Sequence, residues 1–175
     1  MAGSNNSYDV VIVGAGIVGA ACAAECALAG MRVAVIEAGV VGGGATAAGM
    51  GHIVIMDDSA AQFSLTRYSE SLWHDLFTEL PADCEFAACG TIWVAADEDE
   101  MNEVRRKKRY YEERGVPAEV LDAQALAEAE PNLRSGLAGG LRVPGDSVIY
   151  APCVARFLIE RAQERGLICT WAARW

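Results

Sequence analysis

A chain of 175 residues, 53% hydrophobic and 22% charged, is too apolar for a disordered tail and long enough for about one to one and a half domains. Fourteen Lys and Arg against 24 Asp and Glu leave a formal charge of -10, which repels a nucleic-acid backbone or an anionic lipid surface. Residues 1–8 lack the basic start and continuous apolar core of a secretory signal, so the six Cys read as free thiols of a reducing cytoplasm.

Residues 10–36 carry only Glu25 and Arg32 as charges and are the one stretch that a membrane span could claim. Their punctuation points elsewhere. Gly14, Gly16 and Gly19 follow the β-branched run Val10, Val11, Ile12 and Val13, and Gly30 precedes a second β-rich run at 33–36. The pattern predicts a strand, a tight glycine turn, an Ala-rich helix and a second strand. Both strands are apolar throughout, as expected of a parallel sheet covered on both faces.

Residues 42–51, almost all Gly, Ala and Thr, read as a functional loop whose amides lie close to a flat or anionic ligand. Ser59 is the expected N-cap of a helix ending before Pro81. Leu65, Tyr68, Leu72, Leu76 and Leu80 recur there at helical spacing and are assigned to the core, with Trp73 and His74 beside them. The run 85–96, interrupted by Cys89 and Gly90, alternates as a β-hairpin outside the parallel sheet.

A charged helix follows, acidic at Asp97, Glu98, Asp99 and Glu100 and basic from Arg105 to Arg109, a polarity that complements the helix dipole. The basic run is therefore read as a solvated face and not as a nucleic-acid patch. Asp122 caps a short helix stopping before Pro131, and 136–149 is strand-rich. Pro152 fits the first turn of a helix running to Gly166, and 167–171 begins another strand. No element follows in 172–175, so the sequence reads as cut short. The portions expected are 1–80 for nucleotide binding, 81–145 as a partial substrate-domain insertion, and 146–175 as an incomplete return to the first. Cys22 and Cys26, and Cys84 and Cys89, lack zinc-like spacing; small buried thiols and no metal are expected.

The chemistry lies in Gly14-Ala15-Gly16-Ile17-Val18-Gly19. Gly14 permits the turn, Gly16 leaves room for a pyrophosphate, and Gly19 lets the helix pack on the strand with its N-terminus toward the phosphates. Glu37, at the end of the second strand, suits the two hydroxyls of an adenosine ribose and disfavours a 2′-phosphate. This unit identifies an adenine dinucleotide and does not separate FAD from NAD. The second small-residue loop, ending at His52, suits the longer flavin nucleotide.

At these residues the sequence resembles the N-terminal portion of the FAD-dependent oxidoreductases of the D-amino-acid oxidase superfamily. The likeness is to the glycine oxidase, sarcosine oxidase and D-amino-acid or hydroxyproline dehydrogenase branch. It rests on 8–37, on Ala45-Thr46-Ala47-Ala48-Gly49-Met50, on Glu130-Pro131 and on 144–155. A narrower likeness to hydroxyproline or D-proline dehydrogenase subunits lies in Gly49-Met50-Gly51-His52 and Met56-Asp57-Asp58. The resemblance implies an α/β fold, a Rossmann-like FAD-binding unit with part of a strand-containing substrate domain. It also implies oxidation of a small amine or amino acid by hydride transfer to flavin N5.

By match to the family pattern, Gly14, Gly16, Val18 and Gly19 hold the pyrophosphate and Glu37 the ribose. Ala45, Thr46, Gly49 and Met50 meet the ribityl chain or ring edge, and Ala15, Ile17, Ala38 and Ala47 complete the cofactor-binding set. His52 is either a residue near the flavin or a packing residue. No Arg is assigned as a substrate clamp. Two other readings stand beside this one: an NAD-linked dehydrogenase, and a non-catalytic fragment or subunit piece that needs a partner or a missing C-terminal half.

Overall fold

The structure, a computed structural model, describes residues 7–57, 59–166 and 168–171. In chain order the elements are β1 (Val10–Val13), α1 (Ile17–Leu28), β2 (Val33–Glu37), α2 (Ala45–Ala48), β3 (His52–Ile53) and α3 (Ala60–Phe77). A 3-10 turn (Ala82–Cys84) leads to β4 (Thr91–Ala95), α4 (Glu98–Glu112), β5 (Glu119–Asp122) and α5 (Ala123–Ala129). The chain closes with β6 (Gly139–Val143), β7 (Ser147–Val148), α6 (Ala151–Gln163) and β8 (Ile168–Trp171). They form two units, Met1–Gly51 with Phe77–Phe86 and Ile149–Trp175, and His52–Leu76 with Ala87–Val148. The boundary expected at residue 80 is therefore redrawn, because α3 buries Phe63 in the core of the second unit. The expected strand start at Leu167 and the ending at 172–175 fall outside the described residues, as does Asp58.

In the first unit β1 and β2 run parallel, pairing Val10 with Val33 through Val13 with Ile36, and β8 pairs parallel on the far side of β2. The crossover between the first two strands is α1, whose Ala20, Ala23, Ala24 and Ala27 are buried. Their lack of bulk lets α1 lie against α6, which buries Val154, Ala155, Leu158, Ile159 and Ala162. Among the described residues, the expected cover on both faces of the sheet is not found. Val11 is 55% and Val13 83% exposed, while Val33 and Val35 are buried. Apolar strand sequence records a surface suited to burial, not what buries it. The loop at 42–51, expected to hold no element, contains the short α2.

In the second unit β6 is central, pairing antiparallel with β4 and β5. The hairpin expected across 85–96 does not form: β4 pairs with β6, and Ala87 bridges Val148. Alternation marks a strand but leaves its partner open. One face of this sheet packs on α4 around Ile55, Phe63, Ala95, Met101, Val104, Tyr111, Leu141 and Val143.

Asp97 caps α4 by accepting from Glu100 N at 3.0 Å, Asp122 caps α5 through Ala125 N at 2.8 Å, and Ser59 accepts from Gln62 N at 3.2 Å. The basic run of α4 is spent on acids, with Arg105 pairing Glu98, Arg106 pairing Glu103 and Lys108 pairing Glu112. The α3 stripe departs from expectation: Leu65, Tyr68 and Leu72 are exposed, and Phe63 is the buried residue. Helical spacing defines a face but not which face a neighbour covers.

Candidate functional site: the glycine turn and its acidic partner

The carboxyl ends of β1 and β2 and the N-terminus of α1 converge on the glycine turn. Gly14 has φ +97°, a conformation that L side chains resist, and its N–H donates to Ile36 O at 2.8 Å, tying the turn to the neighbouring strand. A Cβ on Gly19 would stand 2.1 Å from the Gly14 carbonyl oxygen, so only glycine allows α1 to start this close to β1. These contacts carry out the roles expected of the turn and of close helix packing.

Glu37 closes the other side. Its Oε2 accepts from Ala15 N at 2.7 Å and its Oε1 from Gly39 N at 2.6 Å. Those two amides, Ala15 first, hold the carboxyl below the usual carboxylate range, so it is ionised at neutral pH. A carboxylate has about four acceptor sites, which leaves two for the hydroxyls of a ribose.

Thr46, at the first turn of α2, reaches across to α1. Its Oγ1 accepts from Ile17 N at 3.0 Å and would lie 3.0 Å from a Cβ on Gly16. Its own proton has no acceptor among the described residues. The resemblance places Thr46 at the ribityl chain or ring edge; the structure sets its hydroxyl at the N-terminus of α1, where an anion is favoured. Gly42, not singled out from the sequence, donates its N–H to Ala15 O at 2.9 Å and straps the second loop to the first. The signal available for it was the run Gly42-Gly43-Gly44.

Gly14, Ala15, Gly16, Ile17, Glu37 and Thr46 are thus joined directly. Val18 is 74% and Met50 79% exposed, Ala38 follows the acid in the turn after β2, and Ala45 and Ala47 lie in α2 with Gly49 at its end. His52 belongs to the second unit, where it is exposed and opens β3 opposite Val148.

Cys22, Cys26, Cys84, Cys89 and Cys153 are free; Cys84 is buried as expected, but Cys22 and Cys89 are exposed. Among the described residues no group of three or more His, Cys, Asp or Glu could hold a metal ion, and no helix is long and apolar enough to cross a membrane.

The turn, the bare glycines, the ionised acid and the helix N-terminus fit the adenosine and pyrophosphate of a dinucleotide. Comparison with known proteins separates the dinucleotides. The family described as FAD dependent oxidoreductase (DAO) matches residues 9–170. A glycine oxidase of Geobacillus kaustophilus is 33% identical over 167 residues, covering 91% of this chain and 44% of that protein. The crystal structure of glycine oxidase from the same organism superposes with a TM-score of 0.84 at 32% identity, over 94% of this chain and 46% of that one. The crystal structure of L-proline dehydrogenase from P. horikoshii gives 0.82 at 26% identity, over 93% and 43%. The chain therefore spans about half the length of the relatives it matches. The NAD-linked alternative gives way to this finding, since FAD is the cofactor of the matched family. With a family match over nearly its whole length and a dinucleotide turn to carry it, this chain belongs to the DAO family of FAD-dependent oxidoreductases.

Proposed function

We propose that this chain forms the nucleotide-binding part, with a portion of the substrate domain, of an FAD-dependent oxidoreductase acting on a small amine or amino acid. The observation that carries the cofactor reading is the Glu37 carboxylate, held ionised by Ala15 N–H and Gly39 N–H beside the glycine turn. The substrate class rests on the family and on the likeness to glycine oxidase.

FAD, when bound here, would supply the redox chemistry of amine or amino-acid oxidation. The residues of this chain orient and bind. Glu37 accepts from the ribose hydroxyls without changing protonation near neutral pH. The first-turn amides of α1 would hold the pyrophosphate, and Gly16 would keep its approach open. Thr46, already accepting from Ile17 N, would have its proton free to donate to a phosphate oxygen. The second loop, Ala45, Ala47, Gly49 and Met50, offers small groups and an exposed thioether to the rest of the nucleotide. The uncovered Val11 and Val13 support the reading that further polypeptide, of the same chain or of a partner subunit, lies on this sheet and completes the substrate site. The free thiols support a cytoplasmic placement.

The test is the visible spectrum of the purified chain after incubation with FAD and removal of free ligand. Retained two-band flavin absorbance is the expected result, and a colourless chain that binds NADH overturns the cofactor reading. Anaerobic bleaching by glycine, sarcosine or D-proline then tests the substrate class. With the polypeptide that completes the substrate site present, a flavin that stays oxidised with every amine and amino acid overturns that class while leaving the nucleotide site standing.

A further inference from the structure

We propose that Ile149 and Pro152, in the segment leading into α6, are positioning residues for the flavin half of the cofactor, because their backbone fixes the second loop, 42–51, at both its ends. The inference rests on the reading that this loop meets the ribityl chain or ring edge of FAD. All of these residues belong to the first unit. The loop cannot hold itself in place. Its α2 is four residues long and buries none of them, and Met50, the one large side chain of 42–51, is exposed. A single helical turn without buried side chains has no stability of its own, so the loop lies where its backbone is held.

Both ends of the loop meet backbone. At Gly42, φ +72°, an added Cβ would stand 2.7 Å from Pro152 Cα and 2.8 Å from its carbonyl oxygen. At Gly51, φ +69°, it would stand 1.9 Å from the Ile149 carbonyl oxygen, and the Gly51 carbonyl accepts from Ile149 N at 3.0 Å. No rotamer moves either neighbour. The holding segment is itself fixed, since Ile149 is buried and Val154 and Ala155, just beyond it, are fully buried in α6 where that helix packs on α1. The glycine turn opens α1, so turn and loop take their places from one pair of helices. The two ends of the loop differ in one respect. Gly42 is also tied to the turn, through Ala15 O at 2.9 Å, whereas Gly51 follows Met50 and is held by Ile149. The adenosine half, read by the turn and Glu37, is therefore independent of Gly51, and the flavin half depends on it.

Equilibrium dialysis against FAD and against ADP reads the two halves separately. In Gly51→Ala the new methyl must retreat from Ile149 O to roughly 3.3 Å, so the Met50 end of the loop moves by about 1.4 Å. The variant is expected to lose about 10-fold in FAD affinity, the worth of one or two neutral hydrogen bonds, and to keep ADP within about threefold. Gly42→Ala, which also disturbs the tie to Ala15 O, is expected to weaken both ligands. A loss of fold would lower both affinities alike, so the ratio of FAD to ADP separates positioning from stability. Coupling is reciprocal: a ligand half that depends on the Ile149 contact also steadies it. Amide exchange at Ile149 N–H in the unaltered chain should therefore slow more with FAD than with ADP at equal saturation. Gly51→Ala that keeps its FAD affinity, or loses ADP as strongly, overturns the proposal. Exchange at Ile149 that the two ligands slow alike does the same, and that comparison stands even where Gly51→Ala fails to fold. An unaltered chain that binds neither ligand overturns the nucleotide reading itself, which the other two results leave intact.

Discussion

Gly19→Ala places a methyl group 2.1 Å from the Gly14 carbonyl oxygen and 3.1 Å from its carbon. A carbon and an oxygen rest at roughly 3.3 Å, so α1 must move off β1 by about 1 Å. Both atoms are backbone, and no rotamer can relieve the clash. Overpacking of this kind costs about 1–3 kcal/mol, read as a lower urea midpoint at unchanged slope. The same shift withdraws the first-turn amides of α1 from the pyrophosphate. Losing one hydrogen bond to a charged group, about 1.5–3 kcal/mol, weakens FAD binding by roughly 10- to 150-fold in equilibrium dialysis. Gly30→Ala is the matched control. Gly30 has φ +79° with nothing within 4 Å of an added Cβ, so the variant loses about 1 kcal/mol of stability and no FAD affinity. The reasoning fails if Gly19→Ala keeps FAD within about threefold of the unaltered chain, or if Gly30→Ala weakens it as much.

Glu37→Gln replaces a charged acceptor by an amide that turns one N–H₂ toward Ala15 N–H or Gly39 N–H, and should weaken FAD about 10-fold or more. Because those amides lower the folded value of Glu37, its contribution is present above the unfolded value and is lost only as pH falls through the folded one. FAD affinity should then stay level from about pH 8 to about pH 5. Asp146 and Glu70 behave oppositely: burial raises both, and the charge of Asp146 raises Glu70 further. The folded chain therefore takes up protons first, and their contribution grows as pH falls from about 7 toward 4, visible as a shallower acid loss of stability than in Glu70→Gln. Asp146→Ala orphans Ile55 N–H and the Thr91 hydroxyl at about 1–3 kcal/mol for each donor left buried. Asn, which accepts from the first and donates to the second, should cost less than half as much in urea unfolding. Leu141→Ala, 1% exposed in the core of the second unit, should cost about 2–5 kcal/mol, and Leu65→Ala, 67% exposed, no more than about 0.5 kcal/mol.

Local chemistry was legible in the residues alone. The strand, glycine turn, helix and strand of 10–37 follow from β-branched runs, glycine spacing and an Ala-rich segment, each acting within a few residues. The helix starts at Ser59, Asp97 and Asp122 were readable for the same reason, since a cap is satisfied by an amide three positions on. The acid at Glu37 was legible because a parallel βαβ unit always brings the end of its second strand beside its first turn.

Long-range choices were not legible. The residues of β4 announce a strand, but its partner lies in β6, about 50 positions further on, chosen by which edge and which apolar face the rest of the unit leaves open. The α3 spacing defines Leu65, Tyr68 and Leu72 as a stripe, yet Phe63 won the core through its contact with Tyr110 and Tyr111. Only tertiary structure brought Thr46 onto Ile17 N and Gly42 onto Ala15 O, and only it set Asp57 and Lys107 together from segments 50 residues apart. Sequence determines which short-range hydrogen bonds and faces a segment offers. Which of those offers is taken up depends on segments far along the chain competing for the same buried surface, and that is settled only when the whole unit packs.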